Sequence, residues 1–368
     1  MIHIIGAGPS GISIAYYFHL AGIRDISIYE RTDKIGGLAR SWTHKGFILD
    51  TGPHIYHTSD IEISDDWLNI GSDLFTKGEF NSCNIISDYP DSLFHYPLSL
   101  ETLEDNLNSK DFLEIKNQLK KLSKFDSSRS ARTFKEFMEG KVGKILTDLF
   151  FKSYPKKVWG LETDQMLADW APQRIQLRKK NEPFYTKPFV AVGSKGTGCF
   201  YERIIKILSE NENFNFFRKK TLTDVHSNEN FITELVFNDS EKVQIDKNDH
   251  IISTIPANHF ARFFDLDLRL NFRGVRSQYL FFKNEKILPE NYNWTYCSQD
   301  ETSFNRITEP SSMTKAVAPS GYSYICVETT FPSGKVEKIK NSYEEVIDWL
   351  ENQKGFNSNG YIPELNTE

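Results

Sequence analysis

The chain has 368 residues, a length for which two domains are the natural expectation. Charged residues make up 26% and hydrophobic residues 39%, a composition typical of a folded globular protein and not of a disordered one. The formal net charge of -6 gives no electrostatic reason to expect nucleic acid as a partner. No apolar run reaches the roughly 20 residues that cross a bilayer, so no membrane span is expected.

The cysteines and the start of the chain bear on its location. Cys83, Cys199, Cys297 and Cys326 are far apart and form no CxxC pair, which predicts neither disulfides nor a metal site. No basic segment of a signal peptide precedes the first apolar residues. A reducing, cytoplasmic location is therefore expected.

The first residues carry a glycine pattern typical of a nucleotide-binding loop. Residues 2–5 predict a short buried strand, which continues directly into Gly6-x-Gly8-x-x-Gly11. Gly6 allows a tight turn, Gly8 lets the backbone approach a pyrophosphate, and Gly11 lets the following helix pack on the strand. The alternative is a glycine-rich turn that binds nothing.

A helix and an acidic residue extend this pattern. Pro9 suits the first helical position because its missing N–H costs nothing there, and the helix is expected from about Ser10 to Leu20. The free N–H groups of such a helix attract phosphate. A strand over Ile26–Tyr29 then leads to Glu30, at about the required 20 residues after Gly11, and its carboxylate would accept hydrogen bonds from ribose hydroxyls.

A paired glycine turn follows the acid. Gly36 and Gly37, with Arg40 behind them, resemble the FAD-binding domain of flavoprotein oxidases. Two glycines would let the backbone touch the pyrophosphate a second time, and Arg40 could neutralise it. An ordinary surface turn is the alternative. The resemblance implies FAD as the cofactor and adds the contact residues Ser10, Arg31, Leu38 and Ala39.

The next segment narrows the resemblance. Residues 46–60, GFILDTGPHIYHTSD, are most similar to UDP-galactopyranose mutase, within the group related to protoporphyrinogen oxidase and the amine oxidases. By that resemblance Gly52, Pro53 and Ile55 would contact the flavin, and His54 would lie close to its reactive edge as a catalytic residue. Judged locally, a histidine after a strand is more often a structural hydrogen-bonding residue.

A second segment supports the same family. SYPKKVWG, residues 153–160, resembles the mutase segment Tyr-x-x-Lys-x-Trp-Gly, and ADWAPQRIQLR follows it with two arginines. The resemblance implies an aromatic platform near uracil and an arginine on the diphosphate, roles for which both residue types are suited. The DWAPQRI stretch is more similar to amine-oxidase-like proteins of surface-polysaccharide clusters than to the classical mutases. The alternative makes Trp159 and Trp170 core residues and the arginines exposed charges. The implied substrate-binding residues are Tyr154, Trp159, Arg174, Arg178 and Tyr185.

A third segment lies near residue 300. FNRITEP resembles a mutase segment that carries an active-site arginine, which would make Arg306 a second phosphate or sugar clamp and a catalytic residue, with Phe304 and Glu309 beside it. Without the family, the stretch predicts a strand edge with Arg306 as a surface charge.

The expected fold class is α/β: a Rossmann-like FAD-binding domain with a parallel sheet and helices, plus an α+β substrate domain with a helical insertion. Apolar spacing predicts helices within 113–125, 134–151, 199–209 and 343–352, and strands at 214–217, 232–237, 250–254, 277–282 and 322–331. The GSKGTG loop at 193–198 lacks the Walker spacing. The expected domains are 1–90 with 190–260 for FAD, 91–189 for the insertion, 261–335 for the substrate domain and 336–368 for a short helical C-terminal segment.

The resemblance is expected to end near residue 330, because no glycine-rich flavin motif follows Thr330. Either the chain is shortened or a partner subunit completes the site; a homo-oligomer is a separate expectation. The resemblance implies ring contraction of a UDP-sugar from pyranose to furanose through N5 of reduced FAD, in surface-polysaccharide synthesis. Two alternatives stay open: an amine oxidase-like or protoporphyrinogen oxidase-like oxidoreductase, and a flavin-fold scaffold without catalysis. Arg178, Arg306 and Trp159 favour a nucleotide diphosphate over an apolar amine.

Overall fold

The structure is a computed structural model that describes residues 1–122, 130–170, 177–229, 231–332 and 343–368. The chain divides into two compact units. The first unit comprises Met1–Thr76 and Ala191–Asn271, and the second comprises Lys77–Val190 and Phe272–Glu368. The domain bounds expected from the sequence, at residues 90, 190 and 260, stay a prediction.

Strands and helices alternate along both units. The strands are β1 (Ile2–Ile5), β2 (Ile26–Glu30), β3 (Ser41–His44), β4 (Phe47–Asp50), β5 (Tyr56–Thr58), β6 (Phe75–Lys77), β7 (Ser82–Ile86), β8 (Tyr89–Tyr96), β9 (Phe189–Gly193), β10 (Phe214–Arg218), β11 (Leu222–Ser227), β12 (Ile232–Phe237), β13 (Glu241–Gln244), β14 (His250–Ser253), β15 (Arg273–Phe282), β16 (Trp294–Cys297), β17 (Arg306–Thr308) and β18 (Ser323–Pro332). The helices are α1 (Pro9–Leu20), α2 (Ile61–Gly71), α3 (Leu100–Asn106), α4 (Ser109–Leu122), α5 (Phe134–Val142), α6 (Lys144–Phe150), α7 (Ser153–Trp159), α8 (Gly198–Leu208), α9 (Ala257–Ala261) and α10 (Tyr343–Asn352). Within the described ranges, no helix is both long enough and apolar enough to cross a bilayer.

The first unit is built on a parallel sheet with the strand order β10-β2-β1-β14. The central strands β1 and β2 are buried at every position, as expected for parallel strands covered on both faces. An antiparallel sheet of β11, β12 and β13 contributes Leu235 and Phe237 to a core that also contains Ile5 and Tyr29. The parallel sheet with its helices is the predicted Rossmann-like fold.

The second unit is built on a six-stranded mixed sheet with the order β15-β18-β17-β16-β7-β8. Ile307 and Val327 of this sheet pack in one core with Val346 and Leu350 of α10. A second core in the helical layer includes Phe134, Met138, Leu146 and Phe150. Strand β7 and the first two residues of β8 lie within residues 1–90, and both strands are part of this sheet.

Two local features differ from the simplest prediction. The apolar stretch over 134–151 forms two helices, because Gly143 between them has a φ of +90°, which is not a helical value. Glycine is needed at this position, since a Cβ there would lie 2.5 Å from Oε1 of Gln118. Strand β17 is not an edge strand, since it pairs with β16 on one side and with β18 on the other. Arg306 therefore projects from the interior of a sheet.

Candidate functional site

The first candidate site lies at the carboxyl end of β1. Gly6 has a φ of +104°, and a Cβ on Gly11 would lie only 2.1 Å from the carbonyl oxygen of Gly6, so neither position tolerates a side chain without movement. Helix α1 begins at Pro9, and in the described part of the chain no side chain caps it and no acidic residue occupies its first turn. Its N–H groups and positive dipole end are thus suited to an anion.

The two glycine turns of the sequence contact each other. The N–H of Gly36 donates a 2.8 Å hydrogen bond to the carbonyl of Ala7. Gly36 and Gly37 have φ values of +92° and +52°, and a Cβ on Gly37 would lie 3.0 Å from Cα of Gly8. Backbone without side chains from both turns therefore forms one surface. A pyrophosphate could approach this surface closely because no Cβ stands in its way.

Glu30 ends β2 beside this surface. One carboxylate oxygen accepts a 3.0 Å hydrogen bond from the N–H of Ala7, and the other accepts 2.9 Å hydrogen bonds from the N–H and the hydroxyl of Thr32. A carboxylate has about four acceptor positions, so a further donor such as a ribose hydroxyl can be accommodated. The role of Glu30 toward ribose stays a prediction.

The remaining predicted cofactor residues surround the second turn and the segment after β4. Nε of Arg40 donates to the hydroxyl of Thr51 at 3.3 Å. His54 is exposed, whereas Gly52 is buried with a φ of +75°. Of the others, Ser10, Arg31 and Leu38 are exposed, Ala39 is buried, and Pro53 and Ile55 are half-buried.

A half-buried carboxylate that the sequence analysis did not identify fixes the GSKGTG loop. Asp50 accepts hydrogen bonds from the N–H of Thr197 at 3.0 Å, from its hydroxyl at 2.7 Å, and from the hydroxyl of Ser41. The Ser41 hydroxyl oxygen in turn accepts a 2.7 Å bond from the N–H of Gly198. Burial raises the pKa of Asp50 against the opposing effect of these donors. An acid at the end of a strand that alternates buried and half-buried residues was the only signal for this role.

The second candidate site lies on one row of the sheet in the second unit. Tyr296, Arg306 and Glu328 are register neighbours on β16, β17 and β18, so their side chains share a face. Arg306 forms a two-point ion pair with Glu328, with Nη2 at 2.7 Å from Oε1 and Nε on the second oxygen.

Aromatic rings adjoin this ion pair. The ring of Tyr154, from α7, lies 5.0 Å edge-to-face from the ring of Tyr296. Burial raises the pKa of the Tyr154 phenol well above its ordinary value. We call the linked rings the aromatic cluster. It comprises Tyr96, Tyr154, Phe184, Tyr185, Trp294 and Tyr296.

Known sequences identify the family of this chain. A sequence profile described as UDP-galactopyranose mutase matches residues 149–351, more than half of the chain. The chain belongs to the UDP-galactopyranose mutase family. A second profile, for an NAD(P)-binding Rossmann-like domain, matches residues 4–69. The predicted family and fold class are confirmed, and the match passes beyond residue 330, where the resemblance was expected to end.

Individual relatives agree with this assignment. A probable UDP-galactopyranose mutase of Klebsiella pneumoniae is 27% identical over 219 residues, which cover 58% of this chain and 53% of the relative. This chain thus matches about half the length of that protein. The crystal structure of a reduced UDP-galactopyranose mutase is similar with a TM-score of 0.76 at 19% identity, over 95% of this chain and 76% of the other. A putative protoporphyrinogen oxidase from Exiguobacterium sp. has a TM-score of 0.72 at 17% identity, over 95% and 82%. The named relatives are enzymes, and membership of an enzyme family is confirmed.

In this mutase-family chain, the side chain of Arg178 donates hydrogen bonds to backbone carbonyls of its own unit. Its guanidinium donates to the carbonyls of Glu182, Pro183 and Phe184 at 3.2, 2.7 and 3.2 Å. These contacts hold the segment that leads to Tyr185. Its role toward a diphosphate stays a prediction, and Arg174 lies outside the described residues.

Phe304 and Glu309, the two residues named beside Arg306, are both fully buried. Phe304 is fully buried in the core that includes α10. Glu309 is fully buried and accepts 3.0 Å bonds from the N–H groups of Ile287 and Leu288, with Nζ of Lys286 at 3.1 Å. By contrast, the Trp159 side chain is 41% exposed.

Proposed function

We propose that the chain binds FAD in its first unit and interconverts the pyranose and furanose forms of a UDP-hexose. Beyond family membership, one observation carries the proposal: a guanidinium, Arg306, lies beside Tyr296 and Tyr154 on one face of the second unit. Guanidinium forks onto phosphate oxygens and aromatic faces accept flat bases, which are the two chemical features of a uridine diphosphate.

The first unit fits the cofactor. Gly8 and Gly37 would hold the pyrophosphate with bare backbone, Glu30 would accept from ribose, and Arg40 would balance the phosphate charge. His54 and Gly52 would lie toward the flavin ring by the family resemblance. When bound and reduced, FAD supplies the nucleophilic chemistry at the anomeric carbon, while the protein supplies binding and orientation.

The second unit would bind the substrate. A guanidinium has five N–H donors, and the two-point pair with Glu328 uses two of them, so Arg306 retains donors for phosphate oxygens. The aromatic cluster offers faces for the uracil ring. Because the pair with Glu328 is neutral overall, we expect diphosphate binding through directed hydrogen bonds more than through net charge.

An oxidase is the second candidate function. The similarity to a putative protoporphyrinogen oxidase, at a TM-score of 0.72, favours it, and aromatic rings also suit an apolar substrate. The ion pair of Arg306 and Glu328 argues against it, because an apolar ring would offer no acceptor to the N–H donors of Arg306 that Glu328 leaves unused.

The experiment has two stages. The purified chain is first incubated with FAD, filtered on a sizing column and examined by absorbance. It is then reduced with dithionite and incubated with UDP-galactopyranose or UDP-galactofuranose, with separation of the nucleotide sugars by liquid chromatography. Interconversion that is lost in Arg306→Met and kept in Lys206→Met, a substitution in α8 of the first unit, supports the proposal. Flavin retention without interconversion of any UDP-hexose favours the oxidase, and failure to retain flavin contradicts both.

A further inference from the structure

Lys157, in the predicted mutase segment, is enclosed by uncharged oxygen atoms. Four acceptors lie within hydrogen-bonding distance of its three N–H donors: the carbonyls of Cys297, Gln299 and Phe304 and the hydroxyl of Thr302. The distances to Cys297, Thr302 and Phe304 are 3.0, 2.7 and 3.2 Å. Three carbonyls and a hydroxyl form a coordination shell like that of a bound cation, and the lysine supplies the cation from its own side chain.

All four acceptors belong to one short stretch of chain around the β16–β17 connection. Tyr296 directly precedes that stretch and Arg306 follows it after one residue, and the two are register partners. The ammonium therefore fixes the loop that joins the aromatic ring to the substrate arginine. A shift of this loop would move Tyr296 and Arg306 together.

The backbone of Lys157 is fixed from the other side. Its carbonyl accepts a 2.6 Å bond from the hydroxyl of Thr330 and a 3.2 Å bond from Nη2 of Arg273. The same helix, α7, carries Tyr154. Lys157 thus joins α7 to β15, to β18 and to the β16–β17 loop.

The neighbouring lysine provides a comparison within the same helix. Lys156 is exposed and its ammonium pairs with Glu162 at 2.5 Å on the surface. Such exposed pairs contribute little to stability. Burial lowers the pKa of Lys157 to about 8, which is the effect expected for an ammonium removed from water.

We propose that Lys157 is a positioning residue for substrate binding, which holds Arg306 and Tyr296 in place relative to Tyr154. This inference rests on the proposed function, because it assigns these three residues to the UDP site. Lys157 acts through the loop and does not touch the substrate.

The test compares Lys157→Ala with Lys156→Ala and uses chemical rescue. Alanine retains Cβ and removes a fragment that propylammonium replaces. UDP affinity of each protein is measured by titration calorimetry with and without propylammonium, and kcat and KM are measured for UDP-hexose interconversion. A misplacement near 1 Å can cost about 100-fold, so we expect the Kd for UDP and the KM to rise roughly 10- to 100-fold in Lys157→Ala.

The expected pattern separates positioning from loss of fold. The KM should rise more than kcat falls, propylammonium should restore part of the affinity, and Lys156→Ala should show neither effect. If Lys157→Ala does not fold, Thr302→Val removes one acceptor and should raise the Kd by a smaller factor.

Three results would overturn the inference in distinguishable ways. Unchanged UDP affinity in both Lys157→Ala and Thr302→Val, with a wild-type chain that binds UDP, removes the positioning role and leaves the proposed function intact. A wild-type chain that neither binds UDP nor interconverts UDP-hexoses overturns the proposed function and this inference with it. The positioning role is also contradicted if Lys157→Ala loses UDP affinity that propylammonium does not restore, while Thr302→Val binds UDP normally.

Discussion

Gly8→Ala should separate cofactor binding from folding. Gly8 has extended backbone torsion angles (φ -79°, ψ -179°), and an added Cβ would meet only Cα of Gly37, at 3.9 Å, which is ordinary van der Waals contact. Alanine restricts the unfolded chain, which stabilises by about 0.4–1 kcal/mol, but it is a poorer helix N-cap residue than glycine by a similar amount. The unfolding free energy of the flavin-free protein should therefore change by less than about 1 kcal/mol.

FAD affinity should respond differently, because the added methyl group fills the backbone surface that a pyrophosphate would approach. We expect the Kd for FAD to rise at least ~10-fold, equivalent to about 1.4 kcal/mol. Thermal melts of flavin-free protein and titration with FAD measure the two effects. Gly11→Ala serves as the comparison, since its Cβ would lie 2.1 Å from the Gly6 carbonyl oxygen and both stability and binding should fall. Full FAD affinity in Gly8→Ala would refute the assignment of Gly8 to the pyrophosphate.

Three further substitutions test other contacts. Asp50→Ala leaves the donors of Thr197 and Ser41 without their acceptor, so it should destabilise by roughly 2–4 kcal/mol in urea unfolding, and a loss under about 1 kcal/mol would contradict the role of Asp50. The pKa of Lys157 is lowered to about 8 in the folded chain, so between about pH 8 and pH 10 only the unfolded chain keeps the proton. The unfolding free energy, measured relative to that of Lys157→Met, should therefore rise by up to about 1.4 kcal/mol per pH unit in this range. If the difference between the two proteins does not change with pH, the amine is accessible to water. Glu328→Gln removes the negative charge beside Arg306, so UDP should bind several-fold more tightly while the melting temperature falls; weaker UDP binding would show that Glu328 orients the arginine.

The nucleotide-binding loop could be predicted because its chemistry is local. The spacing of Gly6, Gly8 and Gly11 reports steric limits within a few residues, and each limit reappears as a close approach or as bare backbone in the structure. Helix α10 and strand β12 were likewise predicted with their observed bounds, since apolar periodicity is also local. The division of the chain was harder, because the pairing of β7 with β16 joins residues about 200 positions apart.

The second site could be predicted only in part, for the same reason. Arg306 and Tyr154 were named from the family resemblance, but Glu328 was missed because only the register of β17 against β18 makes it the partner of Arg306. Lys156 and Lys157 are adjacent and chemically identical in the sequence. Their different environments, one exposed and one enclosed by carbonyls, depend on which side of α7 faces the β16–β17 loop.

These partners change how the positive charges of the second unit should be understood. The sequence suggests arginines whose guanidinium groups are available to a diphosphate. In the structure, however, Arg306 is paired with Glu328, and Arg178 is hydrogen-bonded to backbone carbonyls. The Lys157 ammonium is likewise bonded to uncharged oxygens. Because each charge already stabilises its surroundings, the diphosphate of the proposed substrate would gain its affinity from unused donors in fixed directions and from the aromatic faces. On the proposed function, precise placement of Arg306 would then matter more than the number of cations, and Lys157 would control substrate affinity without touching the substrate.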